Sequence, residues 1–265
     1  MSSTLDRIVA ATRVRVAAAK QATPLASLEK QASAHTPRGF ERALRRTSQN
    51  GVAVIAELKK ASPSKGLIRG SFHPAALAAE LVHGGATALS VLTEEENFQG
   101  SLDYLAEVSA AVEVPLLRKD FIVDEYQLME ARANCADAVL LIVAALNEVD
   151  LRRLRKTAGA LGLDVLTEVH DEHELETALD AGCEVIGVNN RNLRTFDVDL
   201  NTSLRLAEKI PANLLRVAES GISTPDDIAT LRRAGFHAFL IGESLMRTDH
   251  PGETLAQLIQ QKVAR

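Results

Sequence analysis

The sequence predicts a (β/α)8 barrel, an α/β fold of the TIM-barrel type, with an N-terminal helical extension. From about residue 52 onward, short β-rich apolar runs alternate with amphipathic helical stretches. The polar ends of eight such runs recur every 21 to 34 residues. The runs are apolar throughout rather than alternating, as strands of a parallel sheet covered on both faces are. Eight units favour a closed barrel over an open doubly wound sheet, and no G-x-G-x-x-G follows the first run.

The elements follow in order. Residues 1–50 read as helical pieces broken near Pro24 and at Thr36-Pro37, a cap on the barrel within one domain of residues 1–265. The strand runs are Val52–Leu58, Ala88–Thr93, Val114–Asp120, Ala138–Ala144, Asp164–Val169, Val185–Asn190, Leu214–Ser220 and Ala238–Glu243. Asn147 and Asp171, each with an acid three residues on, read as helix N-caps. Thr224-Pro225-Asp226-Asp227 offers a cap, a proline at the first helical position and acids in the first turn. Gly162 and Gly182 are placed to end helices.

Composition narrows the function. The 265 residues are 46% hydrophobic and 25% charged, ordinary values for a globular chain. Thirty Lys and Arg against 35 Asp and Glu give a dispersed net charge of −5, which argues against a nucleic-acid surface. Cys135 and Cys183 are too few for a disulfide framework or a structural zinc, and they fall in turns opposite the barrel mouth. The longest apolar run, Ala138 to Leu146, falls far short of the roughly 20 residues a membrane helix needs. Charges among the first residues leave no signal-peptide core. A soluble cytoplasmic protein is expected.

In this fold, functional groups gather where strands end. The first run ends Glu57-Leu-Lys59-Lys60, the third in Lys119 and the fifth carries Glu168. The sixth ends in Asn189-Asn-Arg191, the seventh in Glu219-Ser220-Gly221 and the eighth in Gly242-Glu243. Period-two alternation puts Glu57 and Lys59 on one side of their strand. With Lys119 and Glu168, two acids and two amines would share one mouth. That is either a structural ion-pair network or a proton-transfer site in which one carboxyl, or one lysine of lowered pKa, is kept poised. Five strand ends converging polar groups favour the site. Gly221 and Gly242 either serve tight turns or bring backbone amides to a phosphate, with Ser62 as a hydroxyl donor. Phe98 and Phe121 either wall an aromatic ligand or pack their loops. Arg191 is a carboxylate fork or a surface ion pair. His170 and His173 read as helix-start residues rather than metal ligands.

At these positions the sequence resembles the indole-3-glycerol-phosphate synthases. The matching strings are Ile55-Ala-Glu-Leu-Lys-Lys-Ala-Ser-Pro-Ser64, Leu117-Arg-Lys-Asp-Phe-Ile122 and Val188-Asn-Asn-Arg-Asn-Leu193, with Val217-Ala-Glu-Ser-Gly-Ile222 and Leu240-Ile-Gly-Glu-Ser-Leu-Met246. The first is specific to that family; the last two are shared among phosphate-binding barrels. The resemblance implies decarboxylating ring closure of 1-(2-carboxyphenylamino)-1-deoxyribulose 5-phosphate in tryptophan biosynthesis. It makes Lys119 the general acid, Glu168 the acid/base of dehydration, and Lys59 a second acid or a substrate contact. Glu57 and Asn189 then orient the reacting groups. Ser62, Glu219, Ser220, Gly221, Gly242 and the backbone of Glu243 belong to substrate and phosphate binding, and Phe98, Phe121 and Arg191 receive the anthranilate ring and carboxylate. No metal or organic cofactor is called for, because the ring nitrogen can accept the electrons of the departing carboxylate. The expected partner is the phosphorylated small molecule. The chain is expected to be a monomer, with other tryptophan-pathway enzymes as candidate partners. A Schiff-base aldolase using Lys119 as nucleophile, or a catalytically silent scaffold, are the competing readings.

Overall fold

The computed structural model describes residues 3–259. Eight parallel strands close into a barrel: β1 (Ala53–Leu58), β2 (Ala88–Leu92), β3 (Leu116–Lys119), β4 (Ala138–Ile142), β5 (Asp164–Val169), β6 (Val185–Asn189), β7 (Leu215–Glu219) and β8 (Ala238–Ile241). Consecutive strands are neighbours, and β8 pairs with β1 to seal the ring. Each predicted run contains its strand, one to three residues shorter in most cases. The fourth strand stops at Ile142, whose partner Glu168 is the last of the β4–β5 register. Beyond it Val143–Ala145 coil into a 3-10 turn.

Alternation along each strand divides the core in two. Val54, Ala56 and Leu58 of β1 face outward into a shell under the helices. Ala53 and Ile55 face inward with Leu117, Leu140, Leu166, Val185, Val217 and Leu240. These inner residues are apolar toward the strand N-termini, so the lower barrel is a packed core rather than a pore. Two residues further along, the same inward positions become Glu57, Lys119, Glu168 and Glu219, and on β6, four residues beyond Val185 and past Gly187, Asn189. Strand periodicity therefore delivers every one of these groups to the upper end.

Among the described residues, nine helices follow the first strand. They are α4 (Pro74–His83), α5 (Asp103–Ala111), α6 (Glu125–Ala133), α7 (Glu148–Ala160), α8 (Glu172–Asp180), α9 (Asn201–Ala207), α10 (Pro225–Arg233), α11 (Glu243–Met246) and α12 (Pro251–Ile259). The predicted caps are formed: Asn147, Asp171 and Thr224 each accept a backbone N–H three residues on, and Thr224 makes a full capping box with Asp227. Gly162 and Gly182 follow α7 and α8 at φ +74°. Among the described residues no helix is long and apolar enough to cross a membrane.

The N-terminal extension forms α1 (Thr4–Ala22), α2 (Leu25–Ala32) and α3 (Phe40–Asn50), broken at the two prolines as expected. α3 closes the underside of the barrel, with Phe40 and Leu44 fully buried among the inner residues. Two barrel carboxylates tie it there. Asp137 accepts the Arg38 N–H at 2.7 Å and contacts His35 at 3.0 Å, and Asp164 accepts the Glu41 N–H at 2.9 Å. α1 lies at the other end. Lys20 pairs with Asp124, the Tyr126 hydroxyl donates to the carbonyls of Ala19 and Thr23, and Arg15 meets buried Glu94 at 3.1 Å.

Replacing the plug should be costly. Phe40→Ala is expected to destabilise the protein by about 3–5 kcal/mol, the range for deleting a buried aromatic side chain. Urea unfolding measures it, and a loss below about 1 kcal/mol would mean that the lower core does not depend on α3.

Candidate active site

At the upper end lies a cavity of about 650 Å³, lined from one side by Thr4, Leu5 and Ile8 of α1. Each residue singled out from the sequence, from Glu57 and Lys59 through to Gly242 and Glu243, is on its wall. Lys119 Nζ stands 3.0 Å from Glu168 Oε2 and 3.5 Å from Glu219 Oε2. Lys59 Nζ stands 2.5 Å from Glu57 Oε1. The three carboxylates are all buried.

The electrostatics correct one expectation. The Lys119 pKa is raised, not lowered. Burial alone would depress it, but the carboxylates of Glu168, Glu219 and Glu57 outweigh burial and hold the ammonium. Burial likewise opposes ionisation of Glu168 and Glu57, and is overcome: Lys119 and His170 hold Glu168 low, and Lys59 and Lys119 hold Glu57 low. Glu219 goes the other way. Burial and the neighbouring charges of Glu168 and Glu57 outweigh Lys119 and push its carboxyl up to about 8. Of the three acids, Glu219 is the one that holds its proton most firmly, because Glu57 has Lys59 and Glu168 has Lys119 and His170 beside it.

Two glycines make room for this crowd. A Cβ at Gly187, in the middle of β6, would lie 2.2 Å from Glu219 Oε1, and one at Gly242 would lie 2.6 Å from Glu57 Oε1. Gly242 is therefore required by the carboxylate behind it as well as by any anion in front. Ser220 takes a left-handed φ of +65° just before Gly221, strain of the kind that collects at functional loops. Asn190 secures that turn, donating to the carbonyls of Glu219 and Ser220 while accepting the Ser203 N–H. The Ser62 hydroxyl is buried with no partner among the described residues.

The aromatic pair sits on the β2–β3 side, with the Phe98 and Phe121 rings 6.4 Å apart. The Phe121 loop is braced where buried Arg118 contacts Asp120 at 3.0 Å and Asp120 accepts the Phe121 N–H. Arg191 lines the same cavity just after β6. It donates to the Phe196 carbonyl and pairs with Glu243 at 3.2 Å, so its fork is already occupied. His170 is more than a helix-start residue, since its ring stands between Glu168 and Glu174. The sequence carried a signal for this: Glu168 and His170 are two apart, on one side of an extended chain.

The sequence profile described as indole-3-glycerol phosphate synthase matches residues 5–258. The chain belongs to the indole-3-glycerol phosphate synthase family. An indole-3-glycerol phosphate synthase from Koribacter versatilis is 60% identical over 259 residues, covering 98% of this chain and all of that one. One from Burkholderia cenocepacia is 51% identical, covering 97% and 99%. The fold extends more widely. The crystal structure of KGPDC from Streptococcus mutans superposes with a TM-score of 0.58 at 14% identity, over 79% of this chain and 96% of that one.

The Glu219 proton has a measurable consequence for this synthase-family barrel. Its folded value of about 8 lies above the ordinary 4.5, so the folded chain holds a proton that the unfolded chain releases across that interval. The contribution of this group to stability then falls as pH rises from about 4.5 to about 8. Glu219→Gln should remove this contribution. Urea unfolding at pH 5.5 and 8 should show wild type losing stability relative to the variant; a constant difference would mean that Glu219 is ionised throughout.

Proposed function

We propose that the chain acts as an indole-3-glycerol phosphate synthase, converting 1-(2-carboxyphenylamino)-1-deoxyribulose 5-phosphate to indole-3-glycerol phosphate, CO₂ and water. The observation that carries this reading is the Lys119 ammonium, 3.0 Å from Glu168, in a cavity walled by Phe98 and Phe121. The aromatic pair receives the anthranilate ring. At the far side Ser62, Ser220, Gly221, Gly242 and the Glu243 backbone hold the phosphate; the partnerless Ser62 hydroxyl supports this assignment. Arg191 meets the substrate carboxylate by exchanging it for Glu243.

The chemistry follows in three steps. The ring carbon bearing the carboxylate attacks the ketone carbon, and the C=O electrons move to oxygen. Lys119 gives that oxygen its proton. An alkoxide is a much stronger base than an amine, so a firmly held ammonium remains a competent donor. The bond to the carboxylate then breaks, CO₂ leaves and its electrons restore the aromatic ring. Finally Lys59, as the second acid, protonates the new hydroxyl, which departs as water while Glu168 takes the proton from the adjacent carbon, forming the indole double bond. Glu57 and Asn189 orient the groups, and Lys59 stands as the second cation toward the substrate. Much of the rate comes from bending the substrate so that ring and ketone meet. A Schiff-base nucleophile would need Lys119 neutral, which its carboxylate neighbours oppose.

We further read the chain as a monomeric cytoplasmic enzyme of one domain. One chain supplies the whole cavity, both cysteines are free thiols, and the extension reaches both ends of the barrel.

The test is fluorescence of the indole product after adding the substrate; no product would overturn the reading. Within it, Glu168→Gln keeps shape but removes the dehydration base. CO₂ release should run ahead of indole fluorescence, with a non-aromatic intermediate in rapid-quench samples. An unchanged lag between the two signals would remove Glu168 from that step.

A further inference from the structure

Glu168 is held on both of its oxygens. Oε2 faces Lys119 at 3.0 Å, and Oε1 faces His170 Nε2 at 3.3 Å. The opposite ring nitrogen, Nδ1, lies 2.9 Å from Glu174 Oε2, which also accepts the His170 backbone N–H at 2.8 Å. Glu174 is fixed in turn, because its own N–H donates to the α8 cap Asp171 at 2.9 Å. A helix cap thus orients Glu174, Glu174 orients the imidazole, and the imidazole reaches the carboxylate in the cavity. Nδ1 is hydrogen-bonded to the Glu174 carboxylate, which only accepts, and Nε2 lies at ion-pair distance from Glu168 without hydrogen-bond geometry. Two negative charges, one beside each ring nitrogen, favour His170 as an imidazolium.

We propose that His170 is a positioning residue that keeps Glu168 ionised and aimed after Lys119 has given up its proton. This rests on the reading of Glu168 as the dehydration base. Once Lys119 is neutral, Glu168 loses the cation on Oε2, and burial then favours its protonation. A protonated Glu168 cannot take the proton that forms the indole double bond. His170, charged and on the other oxygen, is outside the proton transfer and holds Glu168 as a carboxylate through the later steps. The titratable groups facing the ring are Glu168 of β5 and Glu174 of α8; the 3-10 turn packed on both elements carries only Val143, Ala144 and Ala145. Those two carboxylates overcome burial and raise the imidazole to about 10, so it stays charged across the neutral range.

The test compares His170→Gln and His170→Ala with wild type across pH. Gln can keep a donor near Glu168 but not the charge. In both variants the acid limb of kcat should move up by about one pH unit, giving about a tenfold loss on that limb with KM changed less than about twofold. Indole fluorescence should also lag CO₂ release more as pH falls. Glu174→Gln, which leaves the ring in place with one fewer anion, should shift the limb in the same direction by less, and it serves if the His170 variants do not fold. A His170→Gln profile superimposing on wild type would overturn the proposal, because shape alone would then suffice. Wild-type turnover in Glu168→Gln would instead overturn the underlying reading of Glu168, and the proposal with it.

Discussion

The Lys119 ammonium, enclosed by the carboxyl groups of Glu168, Glu219 and Glu57, is the contact on which the upper barrel depends. An isolated buried charge costs several kcal/mol, so neither the lysine nor any of the acids is tolerable there alone. The cluster resolves this by balance. Lys59 and Lys119 are offset by Glu57 and Glu168, while Glu219 stays neutral. His170 and Glu174 form a further balanced pair at the edge. The arrangement is a charged site in a low-dielectric enclosure, ready to meet an anionic substrate without reorganising.

The barrel geometry makes such a cluster accessible to an ordinary sequence. A strand that is apolar at its first inward positions and polar at its last contributes both to the packed lower core and to the site. β1 does so with Ala53, Ile55 and Glu57, β5 with Leu166 and Glu168, and β7 with Leu215, Val217 and Glu219. The lower layers, closed by Phe40 and Leu44, give the upper layer a rigid floor. Stability and chemistry thus occupy opposite ends of the same strands.

The strand and helix order was legible because both signals are local: inward apolar positions at period two, and caps within three residues of their helix starts. The residues that line the cavity were legible for the same reason, since most of them sit at a strand end or in the loop just after it. What escaped the sequence is long-range. That α3 runs under the barrel while α1 reaches its mouth depends on Asp137, Asp164 and Glu94, which lie far away in the chain. The Lys119 shift is set first by Glu168 and then by Glu219, four strands around the ring, whose place beside Lys119 is opened by the missing side chain of Gly187. The role of His170 was hidden by a capping pattern that accounted for Asp171 and Glu174 without it.

The account stands on Lys119 being held as an ammonium by its carboxylate neighbours. Selective ¹⁵N and ¹³C labelling of lysine, with Lys119→Met to assign the signal, would follow its side chain by NMR across pH. The prediction is that Lys119 in the free enzyme remains protonated well above the ordinary lysine value of 10.5. Titration at or below that value would contradict it, and would return the site to a neutral lysine.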